Sequence, residues 1–245
     1  TLTGSSSSFN GVTLQAGRLA VSPSSSAVMA LGAISRSAGS GLNLQPGTGT
    51  ITVDPATPGS GAGNIIGPWA VTGTNRDFTY ATHTSGTIAP IVYSGTLGSV
   101  ASLSNSPGAN VFVNDSSGTT PAVVSANTIR MNFTRSAATT IGGAFTVNGL
   151  LNEDSGVWTI NSGTITIGSE NELVLAAATH GFTINSVIRE NPSGPAGQGL
   201  TFLSTQGAGL TLGAAAGNQF TGPINITGGN LSLNSPGTYG AINLE

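Results

Sequence analysis

Two alternating apolar residues, a glycine three positions on, then two more alternating apolar residues: this spacing occurs at Val12, Leu14, Gly17, Leu19 and Val21. It returns at Trp158, Ile160, Gly163, Ile165 and Ile167, and again at Ile224, Ile226, Gly229, Leu231 and Leu233. A period of two places alternate side chains on one face of a strand. The glycine supplies the positive backbone dihedral of a sharp corner. Strand, corner, strand is the unit that lets short strands stack coil upon coil with their apolar side inward. Further alternating pairs stand at Leu42 and Leu44, Ile51 and Val53, Leu173 and Leu175, and at Ile129, Met131 and Phe133. Turn-forming clusters such as Gln45-Pro46-Gly47-Thr48-Gly49 and Asn191-Pro192-Ser193-Gly194-Pro195 separate the strands. Helical patterning is nearly absent; its best case, Ala27 to Ala33, is seven residues long, contains a glycine and lacks a charged face.

The pattern predicts an all-β solenoid, and composition agrees. Of 245 residues 37 are Gly and only 6% are charged, yet 38% are hydrophobic, too apolar for a solvated tail. Composition hardly shifts along the chain, so residues 1–245 read as one elongated segment. The stretch 54–121, with Pro55, Pro58, Pro68 and Pro90, is expected to be irregular and rich in inserted loops, because proline removes a ladder donor. Coils of roughly 20 to 25 residues would give about ten coils, and at about 4.8 Å per coil a rod of about 50 Å. The first residues, Thr1-Leu2-Thr3, carry no initiator Met, and Ala241 to Glu245 read as a strand in progress. The expectation is an excerpt of a longer chain whose secretion signal lies outside it.

Two copies of the motif extend further. Phe9-Asn10-Gly11 precedes the first and Phe220-Thr221-Gly222 the third; Ser22-Pro23-Ser24 follows the one and Ser235-Pro236-Gly237 the other. The run Gly199-Leu200-Thr201, Gly207-Ala208-Gly209-Leu210-Thr211-Leu212, Asn218-Gln219-Phe220-Thr221-Gly222 and Ile226-Thr227-Gly228-Gly229-Asn230-Leu231-Ser232-Leu233 resembles the autotransporter-associated β-strand repeat. The approach through Ile184, Val187 and Ile188 fits it as well, so the resemblance covers roughly 184–237, with a shortened copy over 1–24. It implies a right-handed parallel β-helix in a secreted bacterial passenger, where such repeats are thought to aid translocation and folding or to form an adhesin shaft. The family's usual Lys-Thr-Gly-Ala-Gly is Leu203-Ser204-Thr205-Gln206-Gly207-Ala208-Gly209 here, without the lysine. No family active site is carried over.

Chemistry-bearing constellations are poor. All six basic residues, Arg18, Arg36, Arg76, Arg130, Arg135 and Arg189, are scattered arginines, which argues against a nucleic-acid partner. No run of about 18 apolar residues is present to form a transmembrane helix. His83 and His180 lack metal-ligand spacing, and a Ser/His/Asp set with His83 and Asp77 can be drawn in almost any Ser-rich chain. Glu153-Asp154 and Glu170 with Glu172 are the paired carboxylates. The first pair reads as solvated, calcium being the one metal open to it; the second reads as flanking a turn on one face of a strand. Trp69, Tyr80 and Tyr93 read as packing residues before a carbohydrate platform. The Asn-x-Ser/Thr tripeptides at Asn114, Asn132, Asn225 and Asn230 are assigned no role, and no cofactor is expected.

The expected function is therefore not enzymatic. It is a structural segment of a giant secreted or cell-surface repeat protein, a fibre, shaft or surface-layer element associating with identical copies or neighbouring repeats. Low charge leaves little electrostatic protection against self-association. The alternative is an adhesin passenger that binds surface glycans, and beyond it a polysaccharide-degrading β-helix.

Overall fold

A computed structural model describes residues 2–74, 77–115, 117–131, 137–153, 156–237 and 239–245. Arg76, Asn132, Phe133, Arg135 and Asp154 lie outside the described residues. With 51% strand and 2% helix, the chain is an all-β parallel solenoid of about ten turns. Its coils are three-sided, with strands along the sides and turns at most corners.

The first stack contains β1 (Leu2–Gly4), β2 (Ser7–Ser8), β3 (Val12–Leu14), β4 (Gly17–Pro23), β5 (Val28–Ala30), β6 (Ile34–Arg36), β7 (Ser40–Leu44), β8 (Thr50–Thr52) and β9 (Ala70–Thr72). One side stacks β1, β4, β7 and β9 in parallel, the second β2, β5 and β8, and the third β3 and β6. The hairpin β10 (Thr79–Thr84) and β11 (Thr87–Pro90) then closes the stack. β10 pairs antiparallel with β9, and β11 antiparallel with β8, so one hairpin bridges two sides and removes their open edges. Its turn is Ser85-Gly86, both at positive φ (49° and 89°), the two-residue connection that matches strand twist. Within 54–121 these strands alternate with stretches such as 61–69 that hold none, and Ala27 to Ala33, the best helical case in a chain with little helical patterning, holds β5.

The second stack comprises β12 (Thr96–Leu97), β13 (Asn105–Val113), β14 (Gly118–Thr119), β15 (Val123–Met131), β16 (Ala137–Thr140), β17 (Ala144–Asn152), β18 (Trp158–Asn161), β19 (Thr164–Ile167) and β20 (Glu172–Ala177). It continues through β21 (Phe182–Ile184), β22 (Val187–Arg189), β23 (Gly199–Ser204), β24 (Gly209–Leu212), β25 (Ile224–Ile226), β26 (Asn230–Leu233) and β27 (Ile242–Leu244). One side carries β14, β16, β18, β21, β24 and β26. The long strand β17 spans a corner: its first half pairs with β19 and its second half with β20. These two remaining sides go on through β22 and through β23, β25 and β27.

Coil length varies. Phe182 stands beside Leu210, 28 residues on (210 − 182), and Ile224 beside Ile242, 18 on (242 − 224). The corners absorb the difference, which is why no fixed period is legible. Asparagines at one corner form a ladder. The Asn127 amide donates to Asn110 Oδ1 (2.9 Å), the Asn148 amide to Asn127 Oδ1 (2.9 Å), and the Glu170 N–H to Asn148 Oδ1 (2.9 Å). Each stack has its own apolar core. Leu14, Val21, Leu42, Leu44 and Ile51 lie in the first; Phe145, Trp158, Ile165, Phe182 and Phe202 lie in the second.

The coils do not run in one line. Arg18 on β4 donates to the Ser204 carbonyl on β23, Gly39 before β7 meets Glu172 on β20, Gly149 on β17 lies under Tyr80 on β10, and Asn110 on β13 donates to the Gly63 carbonyl (2.8 Å). Early coils of the first stack therefore face late coils of the second. The chain rises through one stack, turns over at 91–95, and descends beside it. A single rod of about ten coils is replaced by two shorter, antiparallel stacks lying side by side.

Candidate functional site

The three motif copies fall at β3–β4, β18–β19 and β25–β26, with corner glycines Gly17, Gly163 and Gly229 at φ 67°, 62° and 83°. Leu14, Trp158, Ile160, Ile165, Phe220 and Ile226 are buried, and Leu19 and Leu231 are half-buried. The copies do not occupy one corner. The second passes from the β18 side to the β17–β19 side, whereas the third passes from the β25 side onto the β26 side. The spacing marks a corner, not a position in a repeat. Phe9 and Phe220 differ likewise, since Phe9 is 36% exposed and Phe220 is 1% exposed. Gly11 sits at φ 125°. Gly222 lies so close over the Gly197 and Gln198 carbonyls that a Cβ would not fit.

The densest polar chemistry lies between the stacks. Glu172 is the centre: its Oε2 pairs with the Arg36 guanidinium, and its Oε1 accepts from the Gly39 N–H (2.7 Å) and the Thr201 hydroxyl. Arg36 in turn covers the Trp69 ring, 5.2 Å from its centroid. The side chains of Arg36 and Glu172 are 11% and 7% exposed. Glu170 and Glu172 do flank the turn that opens β20, yet their side chains part there. Glu172 joins two stacks, and only Glu170 is exposed. A second ion pair, Arg130 with Glu153 (3.1 Å), holds the foot of the second stack, and Arg130 also covers Phe112 at 4.7 Å and Tyr93 at 5.9 Å. Glu153 is thus buried, not solvated, because the guanidinium compensates its charge. Its neighbour Asp154 lies outside the described residues.

The other candidates resolve into packing. His83 is fully buried in the closing hairpin; Nδ1 accepts from the Gly86 N–H (3.1 Å), which leaves Nε2 to donate to the Thr57 carbonyl (2.7 Å). Both ring nitrogens face backbone, so His83 makes no relay with the exposed Asp77, and His180 belongs to the other stack. Among the described residues no group of three or more metal-ligating side chains gathers, and no helix is long and apolar enough to cross a membrane. A groove of about 570 Å³ does open between the stacks, lined by Gln15, Ala38, Gly39, Asn225, Asn243 and Glu245.

Tyr80 is fully buried, and the Tyr93 hydroxyl reaches Thr79 (3.3 Å). Burial pushes the Tyr80 phenol well above the ordinary tyrosine range and lifts Tyr93 to about 12. An acid whose folded pKa exceeds its unfolded value near 10 contributes stability that is whole below about pH 10 and is lost as pH rises towards 12. In an alkaline titration, tyrosinate absorbance from these two residues should therefore appear late and together with loss of the β-sheet circular dichroism. Ionisation of Tyr93 at its ordinary pH in a folded chain would contradict the packing between β10 and β13.

Fold and site together define a parallel β-solenoid folded back on itself, with one buried ion pair in the seam between the stacks and another at the foot of the second. Comparison with protein-family models, with curated proteins and with solved structures finds no match.

Proposed function

We propose that this chain is a structural segment of an extracellular or cell-surface repeat protein, serving as a fibre, shaft or surface-layer element through association with identical copies or neighbouring repeats. The observation that carries the reading is the free side formed by β16, β18, β21, β24 and β26. Its strands lie in parallel register and contain no charged residue. Thr159, Thr183, Thr211 and Ser232 form a single column across it. Beside them Asn185 donates to Asn161 Oδ1 (2.8 Å). A flat face of hydroxyls and amides without like-charge repulsion suits lateral packing of copies. The two buried ion pairs, meanwhile, are placed as struts within the fold. The likeness of residues 184–237 to the autotransporter-associated repeat supports a secreted passenger as the setting.

Electron microscopy of the purified protein tests this reading. Ordered filaments or sheets are expected, and introducing lysine at Thr183 and Thr211 should disperse them while leaving the fold intact. Dispersed monomers at all concentrations, together with retention on a glycan array, would replace the reading with that of an adhesin.

A further inference from the structure

The fold-back brings β1 and β27 to the same end of the paired stacks, since β4 lies against the coils of β23 and β27 while β10 lies against β17. Glu245 reaches Gly17 across the seam. Tension entering the chain at β1 and leaving at β27 therefore acts on both stacks at one end and pulls them apart sideways. Seam contacts are loaded one after another from that end, not all at once.

The seam is mixed. Its polar contacts are Arg18 on the Ser204 carbonyl and Gly39 and Arg36 on Glu172, and at the β1 and β27 end it is loosely filled, with the groove lined by Gln15, Asn225 and Asn243. Beside them an apolar cluster, Ile65, Val71, Phe78, Tyr80 and Ile91 on Leu151, Ala176, Ala178 and Leu203, runs through the same strands β20 and β23 towards the turn-over. Two buried polar atoms along the first stack's side of the seam, Arg36 Nη1 and Asn43 Oδ1, have no hydrogen-bond partner, so parting would return them to water. Each stack keeps its own core when the seam opens.

We infer that the seam is a mechanical latch: under tension the two stacks part from the β1 and β27 end towards residues 91–95 and swing into line before any coil unravels. The inference rests on the structural role proposed above, where such a segment bears load. Opening places four stacked rungs (β1, β4, β7, β9) in series with eight (β12, β13, β15, β17, β20, β23, β25, β27). At about 4.8 Å per rung the stacks in line span roughly 55–60 Å, and the gain is that length less the initial separation of β1 and β27 across the seam. Full unravelling of 245 residues at about 3.4 Å each would release on the order of 800 Å.

Single-molecule stretching with handles at Leu2 and Leu244 tests it. The chain has no cysteine, so cysteines introduced at Ala38 and Asn243, which line the same groove, can be bridged selectively by a short bifunctional reagent. The expected result is a reversible low-force step shorter than about 60 Å preceding the long unravelling events, abolished by the bridge and shifted to lower force by Glu172→Gln. Unravelling with no earlier step, or a step that persists in the bridged protein, would overturn the latch. Filament formation is scored separately by microscopy, so loss of the assembly role and loss of the latch are distinguishable.

Discussion

Trp158→Ala is expected to destabilise the second stack by about 4 kcal/mol, the range for deleting a large buried aromatic. The ring is fully buried in β18 and starts a row of aromatic contacts that crosses three coils. Its centroid is 5.6 Å from Phe182, and Phe182 lies edge-on to Phe202 at 6.4 Å. The indole N–H also donates to the Thr139 hydroxyl (2.9 Å), tying β18 to the coil before it. Truncation leaves a cavity that parallel strands, locked in register on both sides, cannot close. Trp158→Phe should cost less, since it keeps most of the volume and loses the bond to Thr139. Denaturant unfolding measures both, and hydrogen exchange should place the damage in the second stack while amides of β4 and β7 keep their protection. Equal loss of protection in both stacks would refute the division into two cores.

That division was only partly legible in the sequence. Period-two strands and their glycine corners are local, and alternation alone located β3, β4, β18, β19, β25 and β26. The fold-back depends on the outward positions, which alternation treats as solvent-facing. β20 and β23 are buried at every residue, Glu172 to Ala177 and Gly199 to Ser204, because one face meets the coil interior and the other meets the first stack. Their unbroken runs, Leu173-Val174-Leu175-Ala176-Ala177 and Leu200-Thr201-Phe202-Leu203, are the signature of a strand covered on both sides. They were the signal available for the seam. The closing hairpin was likewise announced by Ser85-Gly86 between Thr79–Thr84 and Thr87–Pro90, a turn dipeptide between two strand-forming runs. What no local pattern carried was the pairing of Arg36 with Glu172, 136 residues apart. Charge alone makes Glu172 look like a surface residue, and only the packing of two stacks gives it a buried partner.

Glu172→Ala is accordingly expected to cost about 3 kcal/mol, the toll of leaving one member of a buried pair uncompensated. Three donors lose their acceptor together: the Arg36 guanidinium, the Gly39 N–H and the Thr201 hydroxyl. Arg36 retains its place over Trp69 and its Nε bond to the Ser37 carbonyl (3.1 Å), and Gly39, at φ 90°, is held too firmly by its turn to find a new partner. The loss should fall on the seam, because Glu172 contributes its backbone, not its side chain, to the ladder between β20 and β23. Denaturant unfolding gives the magnitude, and hydrogen exchange at Gly39 gives the location. Arg36→Met combined with Glu172→Leu should restore most of the stability, since an apolar pair removes the desolvation cost along with the charges. If the double variant were as unstable as Glu172→Ala, the ion pair would not be the source of the effect, and shape at the seam would have to explain it. If it were as stable as the parent yet pinned the stacks against tension, the buried charges would be there for release and not for strength.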